Sequence, residues 1–234
     1  MTDSHTKIAL DQLAGCIDHT LLEATVTKEK IEQHCREAMN FGFHTVCINS
    51  RWLPLAAELL HNTKIQVGGV VGFPLGADST KIKVAQAKDA IRAGADEIDM
   101  VADLASIIEG DSKYLAHQLY SLLKECHSMR PAVILKVIIE SAVLNNEQIR
   151  FVCQIAQDIG VDFLKTSTGL HPAGGASVED VKLMIESAPN CKIKASGGIK
   201  TAQQAIEMLE AGAERIGTSS ALKIIEEYRN RPIQ

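Results

Sequence analysis

Lys136, Lys165 and Lys194 each interrupt a short apolar run, in VILKVIIE, VDFLKTSTG and CKIKASGG. Runs of this composition between helical segments read as buried parallel strands, from which an ammonium is normally excluded because its desolvation is costly. One such lysine is ordinarily a strand-end residue that snorkels to solvent. Three in successive strands indicate a purpose. On neighbouring strands they converge, and burial with mutual repulsion is expected to push their pKa values down. A neutral lysine amine is a nucleophile toward carbonyls.

A carboxylate belongs to the same picture. EIDMV sets Asp99 among apolar residues, and a period of two sends Asp99, Val101 and Asp103 to one face with Glu97 below them. An early strand adds Asp18, followed by His19 and Thr20. A deep acid beside lysines balances charge and can hold or shuttle a proton through water. His19 reads as a structural hydrogen-bonding residue and Cys47 as a core thiol. His44, His61 and His117 fall at no ligand spacing, so no metal or other cofactor is expected.

A second group is made of small residues. Thr168-Gly169, Ser196-Gly197-Gly198 and Gly217-Thr218-Ser219-Ser220 follow three successive apolar runs and offer backbone N–H groups and hydroxyls. Ser219 and Ser220 open the last helix, whose dipole favours an anion. One Gly-Gly alone is a tight turn; three such segments in a row read as a phosphate cradle. An amine nucleophile, a second lysine, a deep carboxylate and an anion cradle describe Schiff-base chemistry on a phosphorylated carbonyl compound, with the protonated imine as electron sink.

These residues need a scaffold that gathers strand ends. Strands are expected at 16–18, 45–49, 66–73, 97–103, 133–140, 162–167, 192–196 and 215–219. Helices are expected at 27–40, 51–61, 79–93, 112–127, 146–158, 178–187, 201–211 and 219–229. Eight strand–helix units match a (β/α)₈ TIM barrel, an α/β fold of about 250 residues with function at the C-terminal strand ends. Glycines at 42, 94, 160 and 212 each end a helix before the next strand, and Thr27 and Ser177 stand as N-caps. A short helix over about 7–14 precedes the barrel. No Pro-, Gly- or Ser-rich linker divides residues 1–234, so a single domain is expected. A doubly wound sheet shares the alternation, but CIDHTLLEA lacks its Gly-rich nucleotide turn.

Composition narrows the partners. The 234 residues are 46% hydrophobic with a net charge near -5, which suits a domain with a large core and no broad cationic surface. Nucleic acid and membrane are therefore not expected as partners. The six cysteines show no C-x-x-C pairing and read as reduced thiols, and MTDSHTKIALDQLAG has no apolar leader core, so a cytoplasmic location is expected.

With those residues in view, the chain resembles the deoxyribose-phosphate aldolases. The resemblance runs from Ile17 to Ile225 through IDHTLL (17–22), TVCINSRWLP (45–54), VGFPLG (71–76), EIDMV (97–101), LKVIIE (135–140), LKTSTG (164–169), KASGGIKT (194–201) and RIGTSS (215–220). It implies metal-independent class I cleavage of 2-deoxy-D-ribose 5-phosphate to acetaldehyde and D-glyceraldehyde 3-phosphate in deoxynucleoside breakdown. It implies Lys165 as the Schiff-base lysine, and Lys194 as the neighbour that lowers its pKa and joins in proton transfer. Asp99 is then the proton-handling acid and Lys136 an organiser of the cluster. Gly169, Gly197, Gly198, Ser219 and Ser220 hold the phosphate, and Asp18 and Thr20 lie near a substrate hydroxyl. A homodimer acting on small phosphosugars and aldehydes is also implied. Asp103 adds a negative charge near the top of the fourth strand. Two alternatives stay open: an imine-type barrel aldolase or transaldolase with another donor, and a non-catalytic sugar-phosphate sensor.

Overall fold

A computed structural model describes residues 8–128 and 131–231. After α1 (Leu10–Gly15), the chain runs through β1 (Ile17–Leu21), α2 (Lys28–Phe41), β2 (Thr45–Ile48), α3 (Leu53–Leu60), β3 (Gln66–Val71), α4 (Thr80–Arg92) and β4 (Glu97–Val101). It continues with α5 (Leu104–Glu109), α6 (Ser112–His127), β5 (Ile134–Ile138), α7 (Asn146–Ile159), β6 (Phe163–Lys165) and α8 (Val178–Ser187). The last elements are β7 (Lys192–Ser196), α9 (Ala202–Glu210), β8 (Arg215–Thr218) and α10 (Ala221–Arg229). The strands pair in parallel and in sequence order into a closed barrel, β8 returning to β1. This is the expected (β/α)₈ barrel. The helix expected over 7–14 is Leu10–Gly15, and residue 7 lies outside the described residues.

Local chemistry explains the boundaries. Asn145 and Gln148 close a reciprocal capping box at the start of α7, and Gly160 ends that helix at φ 84°. Ser177 Oγ accepts from the Asp180 N–H at 3.0 Å, as its spacing implied. Thr27 stands at the N-cap of α2, but its side chain accepts no backbone N–H of the first turn.

Alternation along each strand separates two environments. On β4, Ile98 and Met100 join the apolar layer between barrel and helices, while Glu97 and Asp99 bond other strands across the barrel interior. The interior is therefore built around charge, and the continuous hydrophobic core lies outside the strands.

Expected strand four overran. It stops at Val101, and Asp103 caps α5, accepting from the N–H and Oγ of Ser106 at 2.8 and 2.7 Å. Asp103 thus adds no carboxylate to the interior face.

Helix α2 docks on the outer face of β1 through a histidine stack. The rings of His19 and His34 lie 3.6 Å apart, His34 Nε2 meets the His19 carbonyl at 3.0 Å, and His19 Nε2 meets Glu37 Oε2 at 2.9 Å. Burial lowers both pKa values from 6.5, to about 4 for His19 and about 3 for His34. Between those values and 6.5 the unfolded chain binds more protons than the folded one, so stability falls as pH falls. Unfolding in urea at pH 7 and pH 5 is expected to show this loss, with a shallower slope in His34→Leu by up to about 1.4 kcal/mol per pH unit. Equal slopes in the two proteins would remove this account.

Candidate active site

Register brings the lysines together. Asp99 on β4 pairs with Lys136 on β5, and Lys165, the last residue of β6, pairs with Lys194 on β7. The side chains meet on one carboxylate: Asp99 Oδ2 accepts from Lys165 and Lys194, each at 2.7 Å, and Oδ1 accepts from Lys136 at 2.8 Å. Lys194 also contacts Asp18 Oδ2 at 2.5 Å, and Lys136 contacts Glu97 Oε2 at 2.6 Å. At the N-terminal end of β8, Arg215 bonds Asp18 at 2.7 Å, Thr45 at 2.6 Å and Glu97 at 2.9 Å. All of these groups are buried.

Gly217 makes this packing possible. A Cβ there would stand 2.9 Å from Lys194 Cε and 2.9 Å from Ser196 Cβ. Its place in the site is steric.

The network joins four basic side chains, Lys136, Lys165, Lys194 and Arg215, to three carboxylates, Asp18, Glu97 and Asp99. The excess base settles on one residue. Burial lowers the Lys165 pKa; Asp99 opposes it, Lys194 reinforces it, and the net direction is down. Lys194 differs: burial lowers its pKa, but Asp18 and Asp99 overcome that and raise it. Lys136 is likewise raised, by Asp99 and Glu97 against burial. The expectation that all three lysines shift down is thus corrected. Carboxylates on other strands, reached only through register, keep two of them charged. Burial alone would raise the Asp99 pKa, but Lys136, Lys165 and Lys194 hold it well below the usual carboxylate range.

Asp18 lies within this network, between Lys194 and Arg215, and Thr20 Oγ1 donates to the Asp18 carbonyl at 2.9 Å. Cys47 is buried on β2, its thiol pushed up by burial and then by the Asp99 charge. Glu97, expected below Asp99 on the same face, is there and bonds Lys136; Arg215, which binds Asp18 and Glu97, had no signal in the sequence.

At the C-terminal ends of the strands, Gly169, Gly197 and Gly198 have φ values of 81°, 88° and 78°. The loops after β6 and β7 touch backbone to backbone: a Cβ on Gly175 would fall 2.2 Å from the Gly197 carbonyl oxygen. Thr218 Oγ1 donates to Ile199 O at 2.7 Å and accepts from Ser220 N at 2.9 Å, tying the loop after β7 to the start of α10. Ser219 is exposed and Ser220 half-buried there. The small residues thus gather on the side of the barrel where Lys165 ends its strand.

Among the described residues, one group, His19, His34 and Glu37, has ligand atoms close enough to hold a metal ion. It lies outside the barrel, on the face of β1 opposite Asp18. His19 Nε2 already meets Glu37 Oε2 and His34 Nε2 meets the His19 backbone carbonyl, and the near-parallel rings, 23° apart, direct their in-plane lone pairs along separate planes. No helix among the described residues is long and apolar enough to cross a membrane.

An amine of lowered basicity, flanked by two retained ammonium groups and one carboxylate at the mouth of a barrel, is equipped to form and protonate an imine. Comparison with known proteins points the same way. The model of the DeoC/LacD family aldolases matches residues 13–227. The deoxyribose-phosphate aldolase of Caldanaerobacter subterraneus subsp. tengcongensis is 44% identical over 224 residues, covering 95% of this chain and 96% of the relative. That of Aciduliprofundum boonei is 47% identical over 216 residues, covering 92% and 96%. Among solved structures, an aldolase designated QR15 superposes with a TM-score of 0.86 at 37% identity, covering 94% of this chain and 96% of its own. The tetrameric deoxyribose phosphate aldolase of Aeropyrum pernix gives 0.88 at 28% identity, covering 95% and 93%.

Proposed function

Because the chain belongs to the DeoC/LacD family of aldolases, we propose that it cleaves 2-deoxy-D-ribose 5-phosphate reversibly to acetaldehyde and D-glyceraldehyde 3-phosphate through an imine at Lys165. The observation that carries this reading is the division of charge among the lysines: the Lys165 pKa is lowered, while Lys136 and Lys194 are raised. Lys165 is therefore the amine most readily neutral, at the end of its strand.

In the proposed sequence the Lys165 nitrogen adds to the C1 aldehyde of the open-chain sugar, and loss of water gives a protonated imine. The C3 hydroxyl loses its proton, the C2–C3 bond breaks, and its electrons pass into the imine to form an enamine. Glyceraldehyde 3-phosphate leaves; protonation at C2 and hydrolysis then release acetaldehyde and the amine. The chain of hydrogen bonds from Lys165 through Asp99 to Lys194 supports a proton relay by those two groups. Lys136 keeps Asp99 ionised and oriented.

The loops bearing Gly169, Gly197, Gly198, Ser219 and Ser220 are assigned to the phosphate, on the strength of their backbone N–H groups and the N-terminus of α10. Asp18 is assigned to the network that supports Lys194, and through it to the substrate side of β1 with Thr20. A cytoplasmic homodimer of single-domain chains, residues 1–234, is part of the same proposal, and sedimentation would decide between dimer and tetramer.

The test is borohydride reduction during incubation with deoxyribose 5-phosphate, followed by peptide mass mapping. A reduced adduct on the peptide carrying Lys165 is expected. An adduct on Lys194 instead, or turnover without any adduct, would refute the assignment.

A further inference from the structure

Glu140, immediately after β5, combines two locally unfavourable features. Among the described residues it is the one non-glycine with positive φ, at 52°, a region that L side chains with a full Cβ avoid. Its carboxyl group is also buried, and among the described residues no basic side chain lies within ion-pair distance of it. Burying such a group without a cation and straining its backbone do not serve stability, and features of this kind gather where function requires them.

What the carboxyl group touches shows the use. Glu140 Oε2 accepts the Thr168 hydroxyl at 2.6 Å, and both oxygens lie 3.3 Å from the Thr168 N–H. Thr168 Oγ1 in turn accepts the Leu170 N–H at 3.2 Å. The backbone beside Glu140 grips the same segment: Ile139 N–H donates to Lys165 O at 3.0 Å and Ser141 N–H to Thr166 O at 2.8 Å. Residues 139–141 therefore hold Lys165, Thr166 and Thr168, and Thr168 in turn holds Leu170. The left-handed turn is what brings the Glu140 side chain over Thr168 while its neighbours keep their backbone bonds to Lys165 and Thr166. Between Thr168 and Leu170 stands Gly169, whose backbone packs against Gly197 of the next loop.

We infer that Glu140 is a positioning residue that sets the Thr168–Gly169–Leu170 backbone for the substrate phosphate. The inference rests on the phosphate assignment made above and adds to it the group that holds the cradle in shape. It separates phosphate recognition from imine chemistry: Lys165 is fixed mainly by its own strand and by Asp99, and Ser167 O is held by the Ser196 hydroxyl, whereas Thr168 and, through it, Leu170 are tied by the Glu140 side chain.

Steady-state cleavage of 2-deoxyribose 5-phosphate and of unphosphorylated 2-deoxyribose tests this in wild type, Glu140→Ala, Glu140→Gln and Glu140→Gly. Losing a charge-assisted hydrogen bond is expected to raise KM for the phosphosugar about tenfold in Glu140→Ala, with kcat within about twofold. Activity on 2-deoxyribose should hold within about twofold, because the same imine chemistry is used. Glu140→Gln, which keeps an acceptor for the Thr168 hydroxyl, should restore most of the phosphosugar KM. Glu140→Gly relaxes the backbone but should resemble Glu140→Ala. Equal losses on both substrates, no loss on either, or wild-type KM in Glu140→Gly would each overturn the inference. A wild-type protein that cleaves neither sugar would overturn the proposed function and this inference together, an outcome recognisable before any variant is compared.

Discussion

Replacing Lys165 by Met is expected to abolish turnover, lowering kcat by at least about 10⁴-fold, while leaving a folded protein of nearly unchanged stability. The two halves of this expectation come from one piece of bookkeeping. Four buried basic side chains face three carboxylates, and the lowered pKa of Lys165 marks it as the base without a full counter-charge. With Lys165 neutral, Lys136, Lys194 and Arg215 balance Asp18, Glu97 and Asp99. Methionine fills much of the same volume and removes no charge that the others need, so a change within about 1.5 kcal/mol is expected by denaturant unfolding. Lys136→Met is the contrast, because it strips an ammonium from both Glu97 and Asp99 and breaks a buried pair, at a cost of about 3–5 kcal/mol. If Lys165→Met keeps more than a few per cent of wild-type kcat, Lys165 is not the nucleophile. If it destabilises as much as Lys136→Met, Lys165 is charged in the folded protein and the balance of three cations against three carboxylates does not hold.

Much of this arrangement could be read from the chain, and the reasons are physical. Eight apolar runs of strand length alternating with amphipathic segments leave few architectures, and the barrel follows from their number and the short connections. The lysines stood out because an ammonium in an apolar run is costly. Asp99 stood out for the same reason, but which carboxylate meets which lysine did not. Arg215 reads as the polar first residue of a short strand, and only the pairing of Asp18 with Gly217 brings it diagonally beside Asp18. The pKa directions of Lys136 and Lys194 depended on those partners, so a reading of single strands gave the wrong sign for both. Helix α5 is too short to show a helical period, although Asp103 and Gly110 are its cap residues. Lys83 carries no distinguishing signal in a helix that also holds Lys81 and Lys88. It lies in the buried stripe of α4 with Ala87, Ala90 and Ile91, and its Nζ bonds Val101 O at 2.7 Å and Gln118 Oε1 at 3.1 Å. Burial pushes its pKa down to about 8. Glu140 closes the motif LKVIIE, yet nothing in those residue types signals a left-handed backbone at the last of them.

Asp99→Asn carries the second large expected effect, and it acts on stability and activity together. Asp99 is the one carboxylate bonded to all three lysines, so its neutralisation leaves Asp18 and Glu97 to balance Lys136, Lys194 and Arg215. An uncompensated buried charge is expected to cost about 3–5 kcal/mol. Activity should fall by at least about 10³-fold, since the amine loses its orienting partner and the proposed relay loses its central member. The pH dependence supplies an independent check. Asp99 raises the pKa of both Lys136 and Lys194. Without it the upward shifts of Lys136 and Lys194 shrink, and Lys165, already lowered by burial, loses the carboxylate that opposes the shift and falls further; the folded variant then binds fewer protons there than the unfolded chain, and stability is expected to rise as pH increases toward the ordinary lysine range. Adding Lys136→Met to Asp99→Asn returns the interior to two cations against two carboxylates. The double variant is therefore expected to be more stable than Asp99→Asn alone by about 1–3 kcal/mol, a coupling measurable in a double-mutant cycle, while its turnover stays lost. Recovery of activity along with stability would mean that Asp99 serves only the fold. An Asp99→Asn protein as stable as wild type at every pH would mean that the buried network does not carry the charges assigned to it.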